Sequence, residues 1–86
     1  IGIQGDNYMS DFSEMLSFAI KSRNINVNEM IQYCGIDRST MYQIIRGKRK
    51  PANMRLVEEI AAFMELSPSE RQRFIEKFIL LHSRST

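Results

Sequence analysis

The stretch that decides the fold is "GIDRSTMYQIIRGKRKP", residues 35–51. Apolar residues fall inside it at Met41, Ile44 and Ile45. Spacings of three and four place them on one side of a helix. Asp37 is a good N-cap, because a short carboxylate can accept a free backbone N–H of the first turn. Gly47 ends the pattern, and "KRKPA" reads as a loop closed by Pro51. The helix therefore covers about residues 38–46. Just upstream, Met30, Ile31 and Cys34 form another short apolar face. Gly35 stands where a left-handed stop is expected, and Ile36 should plug back into the core. The stretch is thus the second half of a helix, glycine turn and helix.

Working outward, Phe12, Met15, Leu16, Ala19 and Ile20 recur at helical spacing, so a first helix runs from about Asp11 to Lys21 or beyond. "NINVN", residues 24–28, breaks that pattern, and Asn26 or Asn28 could cap the next helix. After the loop, Leu56, Val57, Ile60, Ala61 and Met64 define a fourth helix, capped by Asn53. "SPSE", residues 67–70, is the clearest start signal: Ser67 at the N-cap, Pro68 behind it, and Glu70 completing a capping box. The fifth helix carries Phe74, Ile75, Phe78 and Leu81 on one face. No hairpin signal, repeat or low-complexity tract is present. The expectation is an all-α domain of five short helices joined by tight turns.

Composition agrees with an ordinary soluble domain: 86 residues, 43% apolar and 26% charged. A domain of this size buries roughly 60% of its unfolded surface, so its stability should be modest. The sequence divides into a helical domain over 11–82 and a short tail at 83–86. Residues 1–10 are expected to be a flexible leading segment or a cloning scar. Cys34 cannot pair internally and reads as a small core hydrophobe, and a lone thiol fits a reducing compartment. His82 has no partner at metal-ligand spacing and reads as a surface residue. The six methionines fall on core-like faces and should fill gaps. "FILL" at 78–81 is too short to span a bilayer, and no signal peptide is evident. Without a glycine-rich phosphate loop or clustered catalytic groups, an enzyme, a cofactor and a metal are not expected.

The net charge of +2 is uninformative until it is mapped. Residues 38–57 hold Arg38, Arg46, Lys48, Arg49, Lys50 and Arg55 and no acid, while the other 66 residues carry six bases and ten acids. A mildly acidic body thus bears one basic segment. The helix inside that segment is sized for the major groove of double-stranded DNA, about 12 Å wide. With Met41, Ile44 and Ile45 inward, Arg38, Ser39, Tyr42 and Gln43 are placed to meet bases. Arginine can pair with guanine and glutamine with adenine through two hydrogen bonds each. Arg46, Lys48, Arg49 and Lys50 follow, where the chain would meet phosphates. Thr40 is small enough to pack toward the preceding helix.

"NEMIQYCGIDRSTMYQIIRGKRKP", residues 28–51, resembles the helix-turn-helix core of the Xre/Cro/phage-repressor family. That family has an apolar pair in helix 2, a glycine turn, and then "S-x-S-T-I-S-x-I-E-x-G-K-R-x-P". The likeness is strongest at 29–51 and extends over about 11–80. It implies a lambda-repressor-like fold and sequence-specific DNA binding in transcription regulation, of the repressor type. It also implies a bacterial or phage source and a cytoplasmic location. In the family, positions matching Arg38, Ser39 and Gln43 meet bases, and those matching Arg46, Lys48 and Lys50 meet phosphates. Three positions depart from the pattern. A phosphate-clamping Gln at the start of helix 2 is replaced by Val27, so that contact is either lost or passed to an asparagine amide, with Asn28 as the candidate. A Glu is replaced by Ile45, an apolar group that could pack against helix 4 or 5. Tyr42 is bulky for a base-facing position and could meet a thymine methyl or a phosphate.

A second reading comes from another class. Phe74, Phe78 and Leu81 could make a homodimer through helix 5, setting two recognition helices about one DNA turn apart. The same face could instead pack inside the monomer, dock on a C-terminal domain beyond Thr86, or bind a protein partner with no DNA role at all. The polar outer face of the third helix separates these readings, since a docking surface would favour apolar groups there.

Overall fold

The computed structural model describes residues 10–84, and side chains over 11–81. Within them lie five α-helices and no strand: α1 (Ser10–Ser22), α2 (Val27–Cys34), α3 (Arg38–Ile45), α4 (Met54–Met64) and α5 (Pro68–Arg84). The all-α expectation holds. Ser10, expected in the leading segment, opens α1, and α5 carries the chain past the boundary expected at residue 82. The reading of residues 1–9 and the surface reading of the His82 side chain lie outside the described residues. None of the described helices is long and apolar enough to cross a membrane.

Four helices start on the side chains that the sequence offers for the purpose. Asn26 Oδ1 accepts from the Glu29 N–H at 3.2 Å, which makes Asn26 the cap and leaves Asn28 inside α2. Asp37 Oδ2 accepts from the Thr40 N–H at 3.1 Å, and Asn53 Oδ1 from the Leu56 N–H at 2.9 Å. The Ser67 box closes in both directions: the Glu70 N–H donates to Ser67 Oγ at 3.3 Å, and the Ser67 N–H donates to Glu70 Oε1 at 2.9 Å. Such caps contribute on the order of 1 kcal/mol each.

Four helix ends turn through a left-handed residue: Asn24 (φ 56°), Gly35 (72°), Gly47 (79°) and Glu65 (58°). Three of them repeat one hydrogen-bond pattern, the Schellman motif. Asn24 and Ile25 donate back to Lys21 and Ile20, Gly47 and Lys48 to Ile44 and Gln43, and Glu65 and Leu66 to Ala62 and Ala61. Gly35 makes the simpler single bond, to Ile31 at 2.9 Å. The residue after the turn is apolar and packs on the core at three ends, as Ile25, Ile36 and Leu66. After α3 it is Lys48, which is exposed.

The core lies between α1, α4 and α5. The Phe12 ring stacks on Phe74 at 4.7 Å between centroids and meets Phe78 at 6.2 Å. Leu16, Met30, Met41, Ile44, Leu56, Val57, Ile60 and Met64 complete the buried set. Burial of each large side chain contributes roughly 1.5–3 kcal/mol, so the helices are held by packing more than by their own propensity. α5 packs on α1 and α4, α4 on α2, and α3 is held by α1 and α2. Phe74, Phe78 and Leu81 are spent in this core, so they are not an available dimer face. What α5 exposes is Ile79 and Leu80, each about half accessible.

At the junction of α1, α4 and α5, the Arg23 guanidinium pairs with Glu70 and donates to the carbonyls of Met64 (3.2 Å) and Glu65 (3.4 Å). One side chain thereby satisfies two carbonyls at the end of α4 and anchors the carboxylate that caps α5.

Candidate functional site

The candidate site is built on α3 and the turn that follows it. Met41 and Ile44 are fully buried and fix which side of α3 faces in. Ile45 is half-buried in a groove with Ser13, Glu14, Ser17, Phe18, Lys21 and Arg46. It therefore faces α1, not α4 or α5 as the sequence suggested. The reason is rotational: Ile45 follows Ile44 by one residue and is turned about a quarter-turn from it, to the edge of the core against which it still packs.

α1 supports α3 from behind. Ser17 Oγ donates to the Ile45 carbonyl at 3.3 Å. Ser13 is buried against Gly47, where a Cβ would lie 2.8 Å from Ser13 Oγ. Gly47 thus has two independent reasons to be glycine: a left-handed backbone and a close approach to α1. The two serines were missed in the sequence. A small polar pair four residues apart on an otherwise apolar helix face was the available signal.

The outward face holds the expected residues. Arg38 and Ser39 are exposed on the first turn, Tyr42 and Gln43 are half-buried, and Arg46 is exposed. The structure draws several of them together. Arg38 and Arg46 lie one turn on either side of Tyr42, and each guanidinium carbon is 5.8 Å from the centre of its ring. Gln43 Nε2 donates to Ser39 Oγ across one turn, at a long 3.5 Å. Thr40 is half-buried, and its hydroxyl donates to Asp37 Oδ1 at 2.6 Å and reinforces the cap.

Lys48 and Arg49 are exposed in the turn, while Lys50 is half-buried beside the buried Pro51. None of Arg38, Arg46, Lys48, Arg49 and Lys50 makes an ion pair among the described residues. Arg55, the sixth base of the segment, lies on α4 and pairs with Glu59 at 3.4 Å, so it belongs to the body. Asn28 is exposed on the first turn of α2, and its amide makes no hydrogen bond among the described residues. Asn26, the other asparagine flanking Val27, is occupied as the cap.

Glu14 borders the same α1 groove as Arg46, and Asp37 caps the helix next to this surface. The Thr40 hydroxyl and then its backbone N–H hold the carboxyl below its ordinary value, and the charge of Arg49 adds to this. The carboxylate is thus directed into the helix start. Cys34 lies elsewhere, in a shallow depression with Ile36, Asn53, Arg55 and Glu59. Burial pushes its thiol up to about 11, with the Glu59 charge adding, so it is protonated and inert at neutral pH. No cluster of His, Cys, Asp and Glu able to hold a metal ion occurs among the described residues.

Chemically, the face offers two guanidinium forks, an amide and a hydroxyl on one short helix and its C-cap, followed by further ammonium and guanidinium groups. That set suits planar acceptor edges and oxyanions. Comparison of the chain with protein-family models, curated proteins and solved structures finds no match.

Proposed function

We propose that α2, the Gly35 turn and α3 form a helix-turn-helix of the Xre/Cro/phage-repressor type in a lambda-repressor-like domain. On this reading the protein binds double-stranded DNA in a sequence-specific manner and regulates transcription, with α3 in the major groove. Arg38, Ser39 and Gln43 meet base edges. Asn28, Arg46, Lys48, Arg49 and Lys50 meet phosphates, Lys50 with the least reach because it is half-buried. The observation that carries the reading is the clustering on and after α3 of five cations, none in an ion pair among the described residues, in a segment that holds no acid between residues 38 and 57. Of the described bases of the body, Arg23, Arg55 and Lys77 are each matched to a carboxylate, while Lys21, Arg71 and Arg73 are not. Exposed cations left unpaired beside a polar helix face are suited to an external polyanion.

The test compares Arg38→Ala and Lys48→Ala on duplexes of different sequence over a range of salt, by fluorescence anisotropy. Arg38→Ala should cost about 1–3 kcal/mol on a selected site and relax the preference at one base pair. Lys48→Ala should weaken all duplexes alike and lower the salt slope by about 1. Equal losses on every sequence for Arg38→Ala, or an unchanged slope for Lys48→Ala, would remove those roles.

The alternative, a partner or dimer interface on α5, is carried by the half-exposed Ile79 and Leu80. A concentration-dependent sedimentation coefficient that Ile79→Glu abolishes would support it, whether or not DNA binds.

A further inference from the structure

Tyr42 was expected to touch a base or a phosphate, but its surroundings suit another task. It stands at the middle of the outward face of α3, flanked at i−4 and i+4 by Arg38 and Arg46. Both guanidinium carbons lie 5.8 Å from the ring centre, within the reach of cation–π attraction. The ring is half-buried, which restrains it, whereas both arginines are exposed and have no ion-pair partner among the described residues. Its hydroxyl makes no hydrogen bond among those residues. What the structure uses is therefore the ring face.

An exposed arginine samples many rotamers and loses that freedom when it binds. A ring that already gathers two such side chains removes part of the cost before any ligand arrives. We infer that Tyr42 is a positioning residue, whose ring holds Arg38 and Arg46 in the spread arrangement in which they meet the DNA base edge and backbone. This inference rests on the DNA-binding reading given above. It predicts that the ring matters and the hydroxyl does not.

The experiment compares Tyr42→Phe with Tyr42→Leu. In the free proteins, carbon–proton NMR spectra report the ring-current shifts of the Arg38 and Arg46 side-chain methylenes. These shifts should persist in Tyr42→Phe and collapse in Tyr42→Leu. On a duplex selected from a random library, Tyr42→Phe should bind within about twofold of the native protein. Tyr42→Leu should bind about five- to tenfold more weakly, with a smaller penalty for changing the base pair under Arg38. Thermal melts check that both variants are folded, and Tyr42→Gln repeats the comparison if the leucine variant melts early. Native affinity in Tyr42→Leu would overturn the inference. So would an equal loss in Tyr42→Phe, which would make the hydroxyl itself the contact. If the native protein bound no duplex at all, the DNA reading would fall. The ring-current comparison would still decide whether Tyr42 organises the two arginines.

Discussion

The chain leaves α3 and α4 through the same hydrogen-bonded turn, yet the two exits do opposite things. After α4, Glu65 takes the left-handed position, Leu66 folds back onto the core, and Arg23 ties the last carbonyls to Glu70 of α5. After α3, Gly47 takes that position, and Lys48 and Arg49 go outward with no ion-pair partner among the described residues. The backbone solution is shared. What differs is the next side chain, apolar at one exit and cationic at the other. Packing and ion pairing close the first exit, and the second leaves its cations exposed.

The largest effect should separate the two residues that follow the turns. Leu66→Ala should lower unfolding stability by about 1–3 kcal/mol, less than a fully buried leucine because Leu66 is only partly buried. Lys48→Ala should change it by less than about 0.5 kcal/mol, the usual range for an exposed site. Urea melts of the two variants give both numbers, and equal losses would erase the distinction.

Next in size are the glycines. Both Gly35 and Gly47 have positive φ, but an added Cβ meets nothing at Gly35 and Ser13 Oγ at 2.8 Å at Gly47. Gly35→Ala should cost about 1–2 kcal/mol from the backbone alone. Gly47→Ala should cost more, since the Ser13 side chain must also give way. A Gly47→Ala variant as stable as Gly35→Ala would show that Ser13 yields freely.

A smaller effect, of opposite sign, is expected at the α4 exit. Glu65 holds a left-handed backbone without being glycine, so Glu65→Gly should raise stability by a few tenths to about 1 kcal/mol. Thermal melts that show no gain would mean the Glu65 side chain offsets its own strain.

The acid dependence of that exit follows from Glu70. The Ser67 backbone N–H, then the Ser67 hydroxyl, with Arg23 adding, hold its carboxyl below the ordinary value of 4.5. A carboxyl depressed by folding contributes stability that is present above the unfolded value and is lost as pH falls through the folded one. The deficit of Glu70→Gln against the native protein, measured in urea at pH 7 and at pH 3, should therefore shrink at the lower pH. A constant deficit would mean the charge of Glu70 does not matter.

The same comparison shows where the sequence was legible. The turn after α3 could be read because glycine advertises a left-handed residue, and Asn53, Asp37 and the Ser67–Glu70 box advertise helix starts. At Asn24 the sign was weaker, since asparagine tolerates the left-handed backbone without requiring it, and Glu65 carried none, because there packing of Leu66 imposes the backbone on a residue that does not prefer it. The choice between Asn26 and Asn28 needed the register of α2. Charge counting placed Arg55 with the basic segment, but linear proximity does not report that it lies on another helix beside Glu59. The outward set on α3 was readable from helical spacing. The gathering of Arg38 and Arg46 about Tyr42 was not, since spacing allows that contact without requiring it.

The most direct test of the central claim is an NMR titration of the isotope-labelled protein with a random-sequence DNA duplex at low salt. Amide shifts should cluster on residues 38–50 and fade as salt is added. No movement in that segment, or shifts confined to α5, would contradict that claim and leave the basic turn as a solvated surface.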